Sequence, residues 1–275
     1  MSILQIEKID ASLGAVVQGL DLRGPLAGEV VEALHGAIYD HQVLFFRDQD
    51  LSDDQHLDFA RCFGQPNLYP IVEMLGIERP LEMVEDDENS PPKADRWHTD
   101  VTWLPDPPKL GVLSAQVIPP QGGDTLWCNT YAIYDALPKR LRERVERLEI
   151  QHVAGEHFLE RVVAALGEEF IERFRARYGD GARHPLVRKH PVTGRTLIWL
   201  SGSFMDHVVG MERREGRALL DELMNFADDP RFTLRWKWRE NDVALWDERS
   251  TMHRVDADHW PMHRLMRRCT VETAP

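Results

Sequence analysis

Alternating apolar and polar residues predict that strands make up much of the chain. The segment FTLRWKWR (232–239) places Phe, Leu and two Trp at even positions and Thr, Arg and Lys at odd positions. This period of two is typical of a half-buried strand in an antiparallel sheet. Similar patterns predict further strands at 4–9 and 14–20, which would form a starting hairpin, and at 43–47, 109–118, 124–129, 183–190, 195–201, 241–247 and 264–271.

Helical spacing of apolar residues predicts several helices between these strands. Ser52 is expected to cap one of them, because acidic residues follow it and Gly64 comes just past the helix end. The polar segment 84–96 contains two prolines and predicts a long exposed loop, which we expect to close over a substrate. The predicted helices are 25–39, 52–63, 130–150 with a restart at Pro138, 156–177 and 211–227.

Many antiparallel strands with peripheral helices predict a mainly β fold, a double-sheet jelly roll. No GxGxxG motif follows a predicted strand, which argues against a parallel dinucleotide-binding sheet. Because all-β proteins of this size often form one domain, residues 1–275 are expected to be a single domain.

Charge and cysteine content narrow the class of partner. Lys and Arg number 33 against 46 Asp and Glu, a net charge of −13, which argues against a general binder of nucleic acid or anionic membranes. Three cysteines without a CxxC motif predict reduced thiols that serve packing. With neither an 18-residue apolar run nor a signal-peptide pattern, the predicted location is the cytoplasm. The sequence leaves homo-oligomer formation open.

The pattern His-x-Asp, which can supply two metal ligands, occurs twice. His56 and Asp58 fall in the predicted helix 52–63, where residues i and i+2 point about 200° apart and cannot share one ion. We therefore expect His56 to be a solvated residue on the helix surface.

The second copy, His98 and Asp100, lies in the β-rich segment WHTDVTW (97–103). In a strand, i and i+2 project to the same face with Cα atoms ~6.6 Å apart, so both side chains can reach one metal ion. A hydrogen-bonded His–Asp pair without a metal is an equal alternative on spacing alone.

Two arginines in the C-terminal strand form a second candidate site. Arg264 and Arg268 share one strand face, follow His253 closely and start from Cα atoms ~13 Å apart. Each is expected either to pair with an Asp or Glu, or to hold one of two anionic ligands with its planar guanidinium.

Several segments in order resemble the taurine dioxygenase (TauD/TfdA) family of iron(II)- and 2-oxoglutarate-dependent dioxygenases. They are RWHTDVTW, QGGDTLWCNT, ALWDERSTMH and MHRLMRR, and they span most of the chain. The resemblance implies a double-stranded β-helix core, iron(II) as the metal, 2-oxoglutarate as cosubstrate and dioxygen as oxidant.

The resemblance also implies roles for individual residues. His98, Asp100 and His253 match the iron ligands, the two-His-one-carboxylate triad that leaves three coordination positions open. Thr125 and Arg264 match the residues that hold the far carboxylate of 2-oxoglutarate. The predicted substrate-binding residues are Arg268 for the anionic group, Tyr69 and Phe204. Without the resemblance, a turn residue is the favoured interpretation of Thr125. Core packing is at least as good an interpretation of Phe204 and an equal one for Trp246.

Three departures from the family pattern fall at the substrate end. Tyr69 stands where taurine dioxygenases have a His, Ala94 where they have an Asn, and Glu248 replaces an Asn in WDER. Tyr69 can donate a hydrogen bond but brings no positive charge. The stretches KADRWHTDVTW and LWCNTYAIYDALP are more similar to alkylsulfatase-like members than to taurine dioxygenases.

The expected function is hydroxylation of a small anionic organic substrate, of sulfonate or alkyl sulfate type, with succinate and CO2 as co-products. One alternative keeps the iron chemistry on a carboxylate such as an aryloxyalkanoate. A metal-binding jelly-roll protein without oxygenase activity is another. A zinc hydrolase would accept the same ligands, but it has no use for a dicarboxylate site at Arg264 and Thr125.

Overall fold

The computed structural model describes residues 4–272, so the first three and the last three residues of the predicted domain lie outside it. Sixteen strands are present in this part of the chain, and the central ones form two facing sheets. Their bounds are β1 Gln5–Lys8, β2 Ala15–Gln18, β3 Val43–Phe46, β4 Gln65–Asn67, β5 Glu82–Asp86, β6 Leu110–Val117, β7 Thr125–Asn129, β8 Glu149–His152, β9 Ala182–Pro185, β10 Val187–Lys189, β11 Thr196–Ile198, β12 Met205–Val208, β13 Thr233–Trp236, β14 Val243–Asp247, β15 Thr251–Val255 and β16 Arg264–Glu272.

Helices lie between the strands and pack on the outside of the sheets. Gly167, with φ of +82°, separates two helices that the sequence pattern predicts as one, because this left-handed backbone interrupts the helix. The helices are α1 Gly28–His41, α2 Asp53–Arg61, α3 Pro70–Met74, α4 Thr130–Ala136, α5 Lys139–Val145, α6 Glu156–Leu166, α7 Glu168–Tyr178 and α8 Arg213–Met224.

Two sheets face each other across an aromatic core. The larger sheet has the strand order β1-β2-β3-β14-β6-β16-β4, with β5 also paired to β16, and the smaller one has the order β13-β7-β15. Phe45 of the larger sheet stacks on Trp236 of the smaller one, with ring centroids 3.8 Å apart. Trp127 and Trp246 meet edge to face in the same core, at 6.0 Å. The predicted double-sheet jelly roll with peripheral helices is confirmed.

The outer faces of the sheets are covered by helices. Leu34 and Ile38 of α1 and Leu57 of α2 join one cluster with the larger sheet, while α4, α5 and α8 pack behind the smaller sheet. Helices α6 and α7 form a further cluster with Trp103 and Phe204. These last two helices lie over the region where His98 and His253 meet.

The predicted half-buried pattern of segment 232–239 is confirmed. Its four apolar residues are all buried, namely Phe232, Leu234, Trp236 and Trp238. Two predicted elements are partly wrong. Residues 84–86 belong to β5 rather than to a loop, because they pair with β16. Residues 149–150 belong to β8 rather than to a helix, because they pair with β9 and β12.

The prediction that His56 is solvated is wrong. Ser52 caps α2 through a reciprocal capping box with Gln55, as the sequence suggests. His56, however, faces the larger sheet and is fully buried, with Nδ1 3.1 Å from Ser114 Oγ. Its neighbour Asp58 is exposed and pairs with Arg61. The two side chains of this first His-x-Asp copy therefore point apart, as the helical geometry predicts.

No helix within residues 4–272 combines the length and the apolar character that crossing a bilayer requires. The three cysteines are free; Cys128 and Cys269 are buried and Cys62 is partly buried, consistent with packing roles.

Candidate active site

His98 and His253 lie side by side because their main chains form an isolated antiparallel bridge. Each donates its N–H to the carbonyl of the other, at 3.0 and 2.8 Å. The imidazole centroids are 4.3 Å apart. Asp100 Oδ1 lies 3.5 Å from His98 Nε2 and 4.0 Å from His253 Nε2. The three predicted metal ligands thus converge, with one donor atom of each within 4.8 Å of the others.

The local backbone that achieves this differs from the predicted strand. Only His98 of the segment 97–103 pairs with a strand, and Asp100 lies in a turn. The Thr99 hydroxyl donates to the carbonyl of Thr251, at 2.9 Å, and the Asp100 N–H donates to Glu248 Oε2, at 3.1 Å. These long-range hydrogen bonds, rather than strand periodicity, bring Asp100 to the imidazoles.

The donor set fits a divalent metal ion. His98 Nδ1 lies 2.7 Å from the carbonyl oxygen of Arg96, which can only accept, so Nδ1 carries the proton. The lone pair of His98 is then on Nε2, the atom that faces Asp100. Burial lowers the pKa of His253 well below its usual range, so this imidazole is neutral and can coordinate. Two imidazoles and a carboxylate form the facial set of non-haem iron(II) sites.

Charge around Asp100 keeps it ionised. Burial alone would raise the pKa of Asp100, but the Arg268 guanidinium outweighs it and holds the pKa below the usual range. Glu248 is also buried, and burial together with the charge of Asp100 raises its pKa well above the usual range. Glu248 Oε1 accepts from Trp246 Nε1, at 2.8 Å, so both of its oxygens face N–H groups.

Trp246 packs against the candidate metal ligand His253 through a close approach to the backbone of β6. Its ring centroid lies 5.1 Å from that of His253. The indole lies over Gly111, where a Cβ atom would come within 2.2 Å of Trp246 Cζ2. Only glycine therefore leaves room for this ring at the metal site.

Arg264 and Thr125 meet on the wall next to His253, as predicted. Arg264 Nη2 donates to Thr125 Oγ1, at 3.3 Å, and Nε donates to the carbonyl of Gly123, at 3.0 Å. Trp238 Nε1 also donates to Thr125 Oγ1, at 2.9 Å. Because this hydroxyl accepts two hydrogen bonds, its own proton is free to donate to a bound carboxylate. Burial lowers the pKa of Arg264 to about 10, so it stays cationic at neutral pH.

Sequence reasoning missed two carboxylates that face the arginines from β5. In the antiparallel register Arg264 lies opposite Asp86, and Arg268 opposite Glu82. Glu82 Oε2 accepts from Arg268 Nε and Nη2, at 3.0 and 2.6 Å, whereas Asp86 Oδ2 lies 3.9 Å from Arg264 Nη1. The two carboxylates and the two arginines are each four residues apart, and this shared spacing could have indicated the pairing. The predicted loop over 84–96 included Asp86, so the strand that carries it was not recognised.

Arg268 is already engaged by carboxylates. Its Nη1 donates to both oxygens of Asp100, at 2.8 and 3.0 Å, in addition to the bonds with Glu82. Pairing with acidic groups was one of the two alternatives that the sequence left open for this arginine. The Tyr69 ring lies 5.0 Å from the guanidinium carbon, and burial raises the pKa of Tyr69, so its hydroxyl is neutral.

A cavity of about 400 Å³ extends from the two-His-one-Asp cluster toward α3 and α6. His98, Asp100 and Arg268 line one end of it, and Tyr69 and Phe204 line its walls. The Phe204 ring stands edge to face against His98, with centroids 6.3 Å apart. All three predicted substrate-binding residues therefore border the same cavity, within the size range of small-ligand sites.

Comparison with known proteins connects this geometry to a family. The sequence model for "Taurine catabolism dioxygenase TauD, TfdA family" matches residues 5–270. The chain is 34% identical to an alkylsulfatase of Acinetobacter baylyi, over 98% of this chain and 84% of the relative. It is 33% identical to an alpha-ketoglutarate-dependent sulfate ester dioxygenase of Pseudomonas putida, over 98% of this chain and 89% of the relative.

A further relative and a solved structure extend the similarity. The chain is 32% identical to an alpha-ketoglutarate-dependent 2,4-dichlorophenoxyacetate dioxygenase of Cupriavidus pinatubonensis, over 93% of each chain. Its fold is similar to the crystal structure of AAD-2 in complex with Mn(II) and N-oxalylglycine, with a TM-score of 0.83 and 30% identity. That match covers 99% of this chain and 98% of the other.

Proposed function

Because the chain belongs to the TauD, TfdA family of taurine catabolism dioxygenases, we propose that it hydroxylates a small anionic substrate of alkyl sulfate or sulfonate type. It is an iron(II)- and 2-oxoglutarate-dependent dioxygenase, the class to which its relatives belong. The convergence of one donor atom each from His98, Asp100 and His253 within 4.8 Å is the observation that carries the proposal.

These three residues would hold iron(II), with the lone pair of His98 Nε2 fixed by the Arg96 carbonyl. When bound, iron(II) and 2-oxoglutarate supply the oxidising power that inserts one oxygen atom of O2 into a C–H bond, with succinate and CO2 as co-products. The buried aromatic residues around the cluster, Trp246 and Phe204, would exclude water from this reaction.

Arg264 and Thr125 would bind the far carboxylate of 2-oxoglutarate. Both line a small cavity that also reaches His253, so a dicarboxylate can extend from the metal ligands to the guanidinium. Arg264 supplies a charged fork and Thr125 supplies a hydroxyl proton.

Arg268 would hold the substrate's anionic group, with Tyr69 and Phe204 lining the rest of the site. In an alkyl sulfate, hydroxylation of the carbon that carries the sulfate gives a hemiacetal sulfate. Loss of the hydroxyl proton and cleavage of the C–O bond then yield an aldehyde, and the electron pair leaves with the sulfate. This assignment follows the anion-binding chemistry of arginine and the two sulfate ester relatives.

Of the alternatives, the carboxylate substrate keeps an observation in its favour. The phenoxyacetate dioxygenase relative is nearly as similar as the sulfate ester relatives. The same site would hydroxylate the carbon between the carboxylate and the ether oxygen, releasing a phenol. The two proposals share the iron site and differ in the substrate's anionic group and in the group that leaves.

A panel of alkyl sulfates, alkyl sulfonates and aryloxyalkanoates, assayed for succinate and for organic product, tests the function. We expect the highest turnover with an alkyl sulfate, and a preference for an aryloxyalkanoate would select the alternative.

His98→Ala and His253→Ala should lose iron(II) binding in anaerobic calorimetry, whereas His56→Asn should retain it. Unchanged iron binding in both alanine variants would contradict the site. The single domain over 1–275 and the cytoplasmic location stay predictions.

A further inference from the structure

The far end of the substrate cavity is apolar and open. Helix α6 lines it with Val162, Ala165 and Leu166, while Val72 of α3 and Leu75, just past the end of α3, line the other side. The α6 residues recur at helical spacing on one face, so a continuous apolar wall runs away from the metal ligands. The cavity thus combines charged residues at His98, Asp100 and Arg268 with apolar side chains from the two helical segments.

The mouth of this cavity is marked by exposed apolar side chains. Six large apolar residues are strongly exposed in the described part of the chain: Leu75, Ile77, Met83, Leu166, Val192 and Trp260. Three of them line this one cavity, namely Leu75, Met83 and Leu166, with exposures of 45%, 52% and 36%. A cluster of exposed apolar groups that rims a cavity indicates a site for an apolar ligand surface.

The charged side chains of the cavity favour an anionic ligand, because four cations, with Arg268 among them, line it against the three carboxylates of Glu82, Glu85 and Asp100. Lys93, Arg96 and Arg161 line the cavity in a protein whose net charge is −13. Arg161 is fixed there because it donates to the main-chain carbonyl of Pro92. These cationic groups, together with the apolar side chains of α6 and of Val72 and Leu75, suit a ligand with an anionic head and an apolar tail.

We propose that the substrate is a linear alkyl amphiphile whose tail runs between α3 and α6 and lies across the rim formed by Leu75, Met83 and Leu166. This inference rests on the proposed function for the position of the anionic head. The tail leaves the cavity at the rim, so affinity rises with chain length until the tail reaches solvent and then levels off, while longer chains are still accepted. Each buried methylene is worth about fourfold in affinity, from ~0.8 kcal/mol.

The test is anaerobic calorimetry of the iron(II)- and 2-oxoglutarate-loaded enzyme with butyl, hexyl, octyl and decyl sulfates below their micelle concentrations. The dissociation constant should fall about fourfold per methylene while the tail stays on protein. Leu75→Ser, Met83→Ser and Leu166→Ser should each weaken decyl sulfate binding by roughly fourfold and leave butyl sulfate unchanged. Val192→Ser, an equally exposed residue outside this cavity, is the control and should change neither.

The possible outcomes distinguish a failure of the proposed tail site from a failure of the proposed head-group specificity. Chain-length-independent binding, or an equal effect of the rim variants on butyl and decyl sulfate, would overturn the inference while leaving the dioxygenase intact. A parallel series of alkyl sulfonates and alkanoates of the same chain lengths shows which anionic head group the site binds. If only alkanoates bind and their affinity follows chain length and the rim variants, the sulfate proposal fails and the tail site stands. If no series binds, both are wrong.

Discussion

Glu248 accepts a hydrogen bond from the main-chain N–H of Asp100, at 3.1 Å, although 148 positions separate the two residues. Its other oxygen accepts from Trp246, whose ring packs on His253. One carboxyl group therefore braces two of the three residues at the candidate metal site, in a position where the family pattern has an asparagine.

Glu248→Gln should weaken both protein stability and iron(II) binding. Two N–H groups point at the two oxygens of Glu248, and a glutamine offers only one acceptor, so one buried donor loses its partner at a cost of ~1–3 kcal/mol. Chemical denaturation and anaerobic iron(II) calorimetry measure the two effects. Glu240→Gln, at an exposed residue, is the matched control. Wild-type iron affinity in Glu248→Gln would show that Asp100 does not depend on this bond.

Arg264→Ala should raise the 2-oxoglutarate concentration needed for turnover by at least about thirtyfold, since losing a buried charged contact costs ~2–5 kcal/mol. Arg264→Lys should recover only part of this, because an ammonium cannot form the planar fork. Steady-state kinetics with 2-oxoglutarate as the varied substrate measures both, and the exposed Arg217→Ala is the control. An unchanged KM for 2-oxoglutarate in Arg264→Ala would refute the cosubstrate assignment.

Glu82→Gln should strengthen binding of the anionic substrate by roughly tenfold, or ~1.4 kcal/mol. Both Glu82 bonds to Arg268 go to one oxygen, so a glutamine carbonyl preserves the geometry while removing the competing charge. Arg268→Ala should instead raise the KM of the substrate and leave that of 2-oxoglutarate nearly unchanged. An unchanged substrate affinity in Glu82→Gln would show that Arg268 does not bind the substrate's anionic group.

His56 should make folding stability sensitive to mild acid. Burial lowers its pKa to about 3, so the folded protein keeps it neutral while the unfolded chain protonates near pH 6.5. Between these values the unfolded state binds the extra proton, and stability falls as pH falls, by up to ~1.4 kcal/mol per pH unit.

Denaturant unfolding at pH 6.5 to 5 compares His56→Asn, which retains a donor for Ser114, with the wild type. The slope of unfolding free energy against pH should be smaller in the variant. Ser114→Ala retains the buried imidazole and should keep the wild-type slope. Equal slopes in His56→Asn and wild type would mean that His56 takes up no proton on unfolding.

Local patterns correctly predicted those helices and strands whose structure follows from the residues within the element itself. The strand at 232–239 follows from alternation, and the start of α2 follows from Ser52 and Gln55. β5 could not be recognised because its sequence is acidic and short; it is a strand only through pairing with β16. Likewise, His56 has a polar side chain, and its burial depends on Ser114, 58 positions away.

The candidate site was predictable to the extent that family motifs mark it. The structure brings together the three candidate metal ligands, and it places Arg264 beside Thr125. Glu82, Asp86 and the bracing bond of Glu248 depend on strand register and on a turn at Asp100, which no local pattern encodes. The apolar rim also escaped prediction, because α3 and β5 are far from α6 in sequence.

Arg268 pairs with Glu82, and Arg264 pairs with Asp86. An anion that enters the site must bind its arginine more tightly than the paired carboxylate does in order to replace it. A carboxylate fixed on the adjacent strand competes at an effective concentration of about millimolar or above. Small inorganic anions bring only charge to this competition, so abundant ions such as chloride or phosphate gain little by replacing it. A ligand that adds metal coordination or a buried alkyl tail would displace these carboxylates, so the two ion pairs would favour such a ligand over common solutes without a steric gate.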